Sequence, residues 1–227
     1  MAYVAGDVRD QLVYLGRSVV RAGLVVGSGG NLSARIPGTD ECWVTAAGTW
    51  LDRLDRRSFV RIRLDGRNRV DGRTGDGSTE SISRDPSPTS ELGLHLAAYH
   101  ARGDAAVVVH LHPQSVLLLE ALGEPIRLAT TDHLYYLRAV GVVPFHPPGT
   151  PELSAAAGAA AAVGLNCLVL ARHGCCVLAE SVELAHKRVL YLEEAAGLTY
   201  RALSLGRVAE LSAIPATMAA VSWGTSI

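Results

Sequence analysis

Two histidines close an apolar run in the stretch AAVVVHLHPQSV, residues 105–116. Small and β-branched residues precede His110, which predicts a buried strand, and Pro113 predicts where that strand stops. Side chains two positions apart on a strand point the same way, so His110 and His112 are expected to face one point. Burying two imidazoles requires two sets of hydrogen-bond partners, whereas one divalent metal ion satisfies both. A metal site and a pair of hydrogen-bonded core histidines are equal alternatives from this stretch alone.

A third candidate ligand is His173, in LARHGC, where another apolar strand is expected to meet a glycine turn. A cupin-type site would need a glutamate shortly after His112, but the first is the distant Glu120, and the patterns HxHxDH and HExxH do not occur. Glu91 is the best source of a carboxylate, because its helix leads into the histidine strand and would pack antiparallel to it. Glu91 could also serve only to complement the helix dipole.

Hydrophobic periodicity predicts the elements that must position these residues. Helices are expected near residues 7–22, 88–102, 113–123, 150–163 and 181–206, and strands within 24–36, 42–51, 105–112 and 166–179. Thr89 or Ser90 is expected to cap the second helix. Asp-Gly pairs at 65–66 and 71–72 predict hairpin turns. This alternation indicates an α/β or α+β class with a sheet between helical layers.

Composition excludes several classes of function. The 227 residues suit a single domain, 1–227, and with 48% hydrophobic and 19% charged residues the chain can bury a sizeable core. A net charge of −1 points to neither a nucleic-acid nor a membrane partner. We expect a cytoplasmic protein, because there is no apolar run of membrane-spanning length and no signal-peptide pattern at the start. The four cysteines are expected to be buried, reduced thiols.

Four segments, taken together, resemble the class II aldolase/adducin-head family: GSGGNLSAR, TAAG, PTSE followed by HLHP, and RHG. They occur in the family's order between Gly27 and Gly174. The separations between Glu91 and His110 (110 − 91 = 19) and between His110 and His173 (173 − 110 = 63) also match the family's aldolases. The resemblance implies a three-layer α/β/α fold, with a mostly antiparallel central sheet between helical layers.

The resemblance further implies a metal centre. His110, His112 and His173 match the family's Zn²⁺ ligands, and Glu91 matches a carboxylate that both ligates the metal and acts as the base. Bound Zn²⁺ would stabilise, as a Lewis acid, the enediolate left when a carbon–carbon bond beside a carbonyl breaks. Another divalent metal is possible, since imidazole suits several.

A phosphate cradle follows from the same resemblance. Glycines let backbone N–H groups approach an anion, and hydroxyl groups at a helix start add donors. The second of these turns has alanines where the family has hydroxyl groups, so backbone donors must serve there. The residues that match are Gly30, Asn31, Ala47, Gly48, Thr89 and Ser90.

The family's proton donor is expected in the stretch LATTDHLYYL. In the family's aldolase a tyrosine from a neighbouring subunit takes this role, and a rough alignment places Asp132, His133 or Leu134 there. The family's epimerase uses an aspartate in this region, which favours Asp132. The family usually forms fourfold oligomers with sites between subunits, so a homotetramer is expected.

These matches predict a metal-dependent aldolase that reversibly cleaves a ketose 1-phosphate, such as L-fuculose 1-phosphate, into dihydroxyacetone phosphate and a small aldehyde. The partner is then a small phosphorylated sugar. Alternatives on the same metal site are a pentulose-phosphate 4-epimerase, a methylthioribulose-phosphate dehydratase, a decarboxylase and an oxygenase. A non-catalytic adducin-type binding module is a further alternative, but it predicts eroded ligands, and all four are intact.

Overall fold

Seven strands form one sheet in the computed structural model, which describes residues 3–65 and 86–211. The spatial order of the strands is β3-β2-β1-β4-β7-β6-β5, and every neighbouring pair is antiparallel except β5 and β6. The mostly antiparallel sheet expected from the sequence is therefore confirmed. The strands are β1 (Asn31–Arg35), β2 (Glu41–Thr45), β3 (Phe59–Arg63), β4 (Val107–Leu111), β5 (Val140–Val143), β6 (Cys167–Leu170) and β7 (Gly174–Ala179).

Helices cover both faces of this sheet. Within the described ranges they are α1 (Val8–Arg21), α2 (Leu92–Ala101), α3 (Gln114–Leu122), α4 (Thr131–Leu137), α5 (Pro151–Ala162) and α6 (Val182–Ser204). One core cluster joins α1, α3 and α6 to the sheet, and a second joins α2 and α5 to its other face. The predicted three-layer α/β/α arrangement is confirmed.

The alternation of side chains along β4 determines which helical layer His110 faces. Val107 and Val109 belong to the core cluster under α1, α3 and α6, whereas Val108 belongs to the cluster under α2 and α5. Because side chains on a strand alternate between faces, His110 shares the face of Val108. The metal-ligand candidates therefore lie on the side of the sheet that α2 covers.

Helix α1 forms where the sequence predicts it. Asp7 occupies the N-cap position, its side chain accepts a hydrogen bond from the Arg9 backbone, and Leu12, Leu15 and Val19 are fully buried. Buried positions spaced by three and four residues follow from the helical repeat.

The predicted cap of α2 is wrong. Neither Thr89 nor Ser90 caps this helix: it begins at Leu92, with Glu91 in the N-cap position and no side-chain capping bond. The Thr89 hydroxyl instead accepts a hydrogen bond from the Glu91 backbone N–H, at 3.3 Å. Glu91 therefore stands just before the first helical turn, and its carboxylate is not used at the helix end.

The helix α4, the strand β3 and the edge strand β5 were not among the predicted elements. β5 has four residues, contains Gly141, and leaves Val142 65% exposed, so neither its length nor its hydrophobic pattern marks a strand. β5 is a strand because it pairs in parallel with β6, which is a contact between distant parts of the chain.

Two further expectations bear on the class of protein. No helix in residues 3–65 or 86–211 is long and apolar enough to cross a membrane. All four cysteines are buried and free, as predicted. The hairpin turns predicted at 65–66 and 71–72 fall partly or wholly outside the described residues.

Candidate metal centre

Three imidazoles converge at one end of the β4–β7 ladder. His110 lies on β4, His112 follows its last residue, and His173 lies in the turn that joins β6 to β7. One nitrogen from each ring lies within 4.8 Å of the others, and the ring centroids are 4.7–5.4 Å apart. The structure thus brings together the three histidines that the sequence singled out.

Small residues make this convergence possible. A Cβ atom on Gly174 would lie 2.4 Å from the Leu111 carbonyl oxygen and 2.5 Å from His112 Cδ2. A Cβ atom on Gly29 would lie 2.8 Å from His112 Nδ1. Real Cβ atoms do not approach other atoms so closely, so both glycines leave the space that the imidazole of His112 fills.

The ring of His110 is held in one orientation and one tautomer. His110 Nδ1 lies 2.9 Å from the carbonyl oxygen of Cys175, to which it can only donate. When the ring is neutral, its Nε2 atom therefore carries the lone pair that could ligate a metal; this atom lies 2.9 Å from His112 Nε2. A second hydrogen bond that fixes the tautomer is the usual arrangement around a metal-binding histidine.

Glu91 completes the cluster from the end of α2. Its Oε2 atom is 2.9 Å from His110 Nε2, and its Oε1 atom is 3.2 Å from His173 Nε2. Asn31 Nδ2 donates to Oε2 at 3.1 Å. Antiparallel packing of α2 against β4 is what returns Glu91 to the histidines, as the sequence led us to expect.

The charge states of these groups suit a cation. Burial alone would raise the pKa of Glu91, but the hydrogen bond and charge of His110, with His173 and Asn31, lower it to about 2. Burial, followed by the neighbouring histidines, lowers the pKa of His112 to about 4, and burial also lowers the pKa of His173. An ionised carboxylate and neutral imidazoles are the forms that ligate metals.

An unsatisfied atom provides a separate test of that fit. Glu91 Oε1 is buried and makes no hydrogen bond within the described residues. A buried carboxylate oxygen without a partner carries a large desolvation cost, which a cation between it and the three ring nitrogens would remove. Three imidazole nitrogens and one carboxylate suit Zn²⁺, so the residues present fit a divalent metal.

The turn that carries His173 is held by a contact that the sequence did not reveal. Arg172 adopts a left-handed conformation with φ 55°, and its backbone N–H donates to Glu120 Oε2 at 2.8 Å. This conformation is unfavourable for a residue with a side chain, so the turn depends on its surroundings. No pattern around an arginine predicts a positive φ.

A cleft of about 240 Å³ opens beside Glu91 and His112. It contains all the residues predicted to form the phosphate cradle, together with neighbours from the same turns. The lining residues are Ser28, Gly29, Gly30, Asn31, Ala46, Ala47, Gly48, Thr49, Thr89, Ser90, Glu91 and His112.

The cleft offers amide and hydroxyl donors rather than cationic side chains, because none of its lining residues is Lys or Arg. The Ala47 N–H is already bonded to the Ser87 carbonyl oxygen at 2.9 Å. The N–H groups of Gly48 and Ser90 donate to no acceptor in the described part of the chain, and Gly48 has φ 72°. Such a group of backbone donors can bind an anion without a basic residue.

Asp132 and His133 do not join the cluster within one chain. Both belong to α4, which packs on α6, across the sheet from His110. Tyr191 OH donates to Asp132 Oδ2 at 3.2 Å, and His133 Nε2 lies 3.3 Å from Glu194 Oε2. Neither has a contact with the metal-ligand candidates.

Further polar groups, which the sequence did not single out, continue inward from Asn31. Asn31 Oδ1 lies 2.5 Å from His95 Nε2, and Ser33 Oγ lies 2.7 Å from both His95 Nδ1 and Tyr99 OH. The spacing could have revealed them: Asn31 and Ser33 share a strand face, and Glu91, His95 and Tyr99 follow one another at intervals of four.

Replacing His95 with Gln should change how stability depends on pH. Burial, followed by the charge of His110, lowers the pKa of His95 from 6.5 to about 3. Between these values the unfolded chain binds a proton that the folded chain refuses, so the free energy of unfolding falls with decreasing pH by about 1.4 kcal/mol per unit. His95→Gln should remove this contribution in urea unfolding of metal-free protein at pH 4 to 6. The exposed His100, in the matched variant His100→Gln, should keep the parent's slope, and equal slopes in both variants would contradict the assignment.

Comparison with known proteins agrees with this geometry. The family model for the class II aldolase and adducin N-terminal domain matches residues 10–200. An L-fuculose phosphate aldolase from Methanocaldococcus jannaschii is 29% identical over 191 residues, which cover 84% of this chain and 94% of that protein. A 3-oxo-tetronate 4-phosphate decarboxylase from Cupriavidus necator is 30% identical over 196 residues, covering 84% and 82%.

A solved structure extends the similarity to the fold. That structure, an L-fuculose 1-phosphate aldolase, is 25% identical, has a TM-score of 0.77, and matches 95% of this chain and 94% of its own. The family model covers most of the chain and both curated relatives are enzymes that act on phosphorylated compounds. The chain therefore belongs to the class II aldolase and adducin N-terminal domain family.

Proposed function

We propose that this protein is a metal-dependent aldolase that cleaves a ketose 1-phosphate into dihydroxyacetone phosphate and a small aldehyde. The observation that carries the proposal is the contact of Glu91 with His110 and His173 beside a cleft of anion-binding turns. The retained ligand set argues against a non-catalytic module. Zn²⁺ is the proposed metal, held by His110, His112, His173 and, before substrate binds, Glu91.

A metal ion bound there would supply Lewis-acid stabilisation of the negative charge that develops on the substrate oxygens. Glu91 is then the proposed base. Its Oε2 atom is held by the Asn31 amide, whereas Oε1 makes no hydrogen bond, so Oε1 is the oxygen that would carry the proton to and from the substrate carbon. The pKa of Glu91, lowered to about 2 in the metal-free site, keeps this carboxylate ionised.

The cleft is the proposed phosphate site. Gly48 and Ser90 would donate their N–H groups, which have no acceptor within the described residues, and Thr89 and Ser90 line the same space. Asn31, Glu91 and His112 line one side of this cleft, so a phosphate in the cleft would place the rest of a short sugar beside the ligand cluster.

Ser90→Ala should weaken phosphate recognition and leave metal binding intact. Losing one hydrogen bond to a charged group costs about 1.5–3 kcal/mol, or roughly a 10- to 150-fold rise in KM. The matched change Ser204→Ala, at the exposed end of α6, should leave KM unchanged. Steady-state kinetics with the preferred phosphorylated sugar provide the measurement, and an unchanged KM in Ser90→Ala would remove the hydroxyl from the phosphate site.

His110→Ala should abolish both metal binding and cleavage. Loss of a ligand should exceed the 10- to 100-fold effect typical of groups that only support ligands, so cleavage should fall by more than about 100-fold. The assay couples release of dihydroxyacetone phosphate from a panel of ketose 1-phosphates to a dehydrogenase, with and without chelator. His100→Ala is the control for removing an imidazole. Cleavage that persists in His110→Ala, or that chelator does not affect, would exclude this mechanism.

A decarboxylase is the second candidate. It is favoured by the similarity to a 3-oxo-tetronate 4-phosphate decarboxylase, which is as close as the similarity to an aldolase. Loss of CO₂ from a 3-oxo acid leaves an enolate that the same metal would stabilise, so the proposed site suits either reaction. Products decide between them: CO₂ from a phosphorylated 3-oxo acid without release of dihydroxyacetone phosphate from any ketose phosphate would favour the decarboxylase.

Asp132 and His133 are proposed to act on the active site of a neighbouring subunit in a cytoplasmic homotetramer. The reason is their placement across the sheet from the ligands of their own chain, together with the neighbouring-subunit proton donor that the family resemblance implies.

Co-expression of two inactive variants tests this shared site. His110→Ala lacks the metal and Asp132→Ala lacks the proposed donor, but a mixed oligomer would contain sites with both groups intact. Random mixing should restore up to about a quarter of the parent's activity. The same test with His133→Ala identifies which residue acts. No recovery from a mixture of two folded, oligomeric variants would contradict a donor from the partner subunit.

A further inference from the structure

The polar side chains that continue inward from Glu91 form an unbroken hydrogen-bonded line between β1 and α2. It runs from Glu91 through Asn31, His95 and Ser33 to Tyr99, and each contact is 2.5–3.1 Å long. All five residues are at least 92% buried, so water does not compete for these bonds.

The donors in this line all point one way. A carboxylate only accepts, so the Asn31 amide nitrogen donates to Glu91 and the amide oxygen faces His95. An amide oxygen only accepts, so His95 Nε2 carries the ring proton and donates it. The Nδ1 atom of a neutral ring then accepts from Ser33, whose one proton is thereby used. Tyr99 therefore donates to Ser33.

This order of donors and acceptors makes the orientation of the Asn31 amide depend on His95. A side-chain amide can rotate by half a turn and exchange its oxygen and nitrogen with little change in shape. In the exchanged orientation the Asn31 oxygen would face the Glu91 carboxylate, acceptor against acceptor. The N–H of His95 opposes the exchange as well, because it would then face the amide nitrogen, donor against donor.

We propose that His95 is a positioning residue that keeps the Asn31 amide donating to Glu91, and thereby holds the carboxylate with Oε1 toward the metal and the substrate. This deepens the proposed function and rests on it, because it takes Glu91 as a ligand and base. His95 makes no hydrogen bond to the ligand histidines and does not line the cleft, so its hydrogen-bonded route to Glu91 runs through Asn31.

The side chains of Gln and Asn each reproduce part of the imidazole ring, so replacing His95 with each of them gives a matched pair of variants. Gln can place its side-chain N–H near the position of Nε2 and so reach Asn31, whereas the shorter Asn reaches only the position of Nδ1. The probe is Zn²⁺ alone, titrated into chelator-stripped protein against a chromophoric chelator. His95→Asn should bind Zn²⁺ about 10- to 100-fold more weakly, as for other groups that support ligands. His95→Gln should stay within about threefold of the parent, less than a broken hydrogen bond typically costs.

A double-mutant cycle separates positioning from a general loss of structure. If His95 acts through Glu91, then His95→Asn should weaken Zn²⁺ binding in the parent and add less than about threefold in the Glu91→Gln background. A purely structural effect would lower affinity by the same factor in both backgrounds, and that result would overturn the proposal. So would equal affinities of His95→Asn and His95→Gln. His100→Asn, exposed on the same helix, controls for loss of an imidazole.

Ser33→Ala serves if His95→Asn does not fold. It removes only the hydroxyl that donates to His95 Nδ1, which frees the ring to change tautomer, and it should weaken Zn²⁺ binding by about twofold to tenfold in the parent background alone. Failure of the proposed function has a different signature. If Glu91→Gln binds Zn²⁺ as the parent does, Glu91 is no ligand and both proposals fall. If Glu91→Gln binds weakly and Ser33→Ala binds as the parent does, only the positioning role falls.

Discussion

The central constraint on this structure is an ionised carboxylate that must be stabilised away from water. Glu91 is 7% exposed, and its charge would be costly there without compensation. The protein compensates only one side fully: Oε2 accepts a hydrogen bond from the Asn31 amide, whereas Oε1 lies 3.2 Å from His173 Nε2 without a hydrogen bond. A bound metal ion would supply the positive charge that the ionised carboxylate still lacks. The surrounding layers are arranged to deliver these partners to one point.

The order of the strands in the sheet brings the partners of Glu91 together. β4 is central, pairing with β1 on one side and β7 on the other, so Asn31, His110 and the turn with His173 meet at one end of three adjacent strands. Glu91, at the N-cap of α2, lies beside His110 at this end. Glycines in the adjoining turns leave room for the imidazoles, which explains why ligand and glycine stand side by side in RHG.

Local patterns were sufficient to predict much of this. The α/β or α+β class and helices α1 and α6 follow from periodicity, and the convergence of His110 and His112 follows from their spacing on a strand. The grouping of His173 with them followed from the family resemblance. Other features depend on tertiary contacts that no local pattern encodes. Parallel pairing makes β5 a strand despite Gly141, Arg172 adopts a positive φ held by Glu120, and the N-cap falls on Glu91 because Thr89 turns back toward it. The position of α4, across the sheet from the ligand histidines, could be known only from the folded structure.

The distances in sequence between the joined strands have a kinetic consequence. β4 pairs with β1 and β7, each separated from it by more than 60 residues of chain, so the ligand cluster exists only after distant segments have met. Closing such loops costs entropy before any contact repays it, and folds rich in non-local pairs fold slowly. No short fragment of this chain holds the complete ligand set. A metal ion bound at the proposed site would therefore find its complete ligand set only after the central strands have assembled, and by stabilising the native state it would slow unfolding.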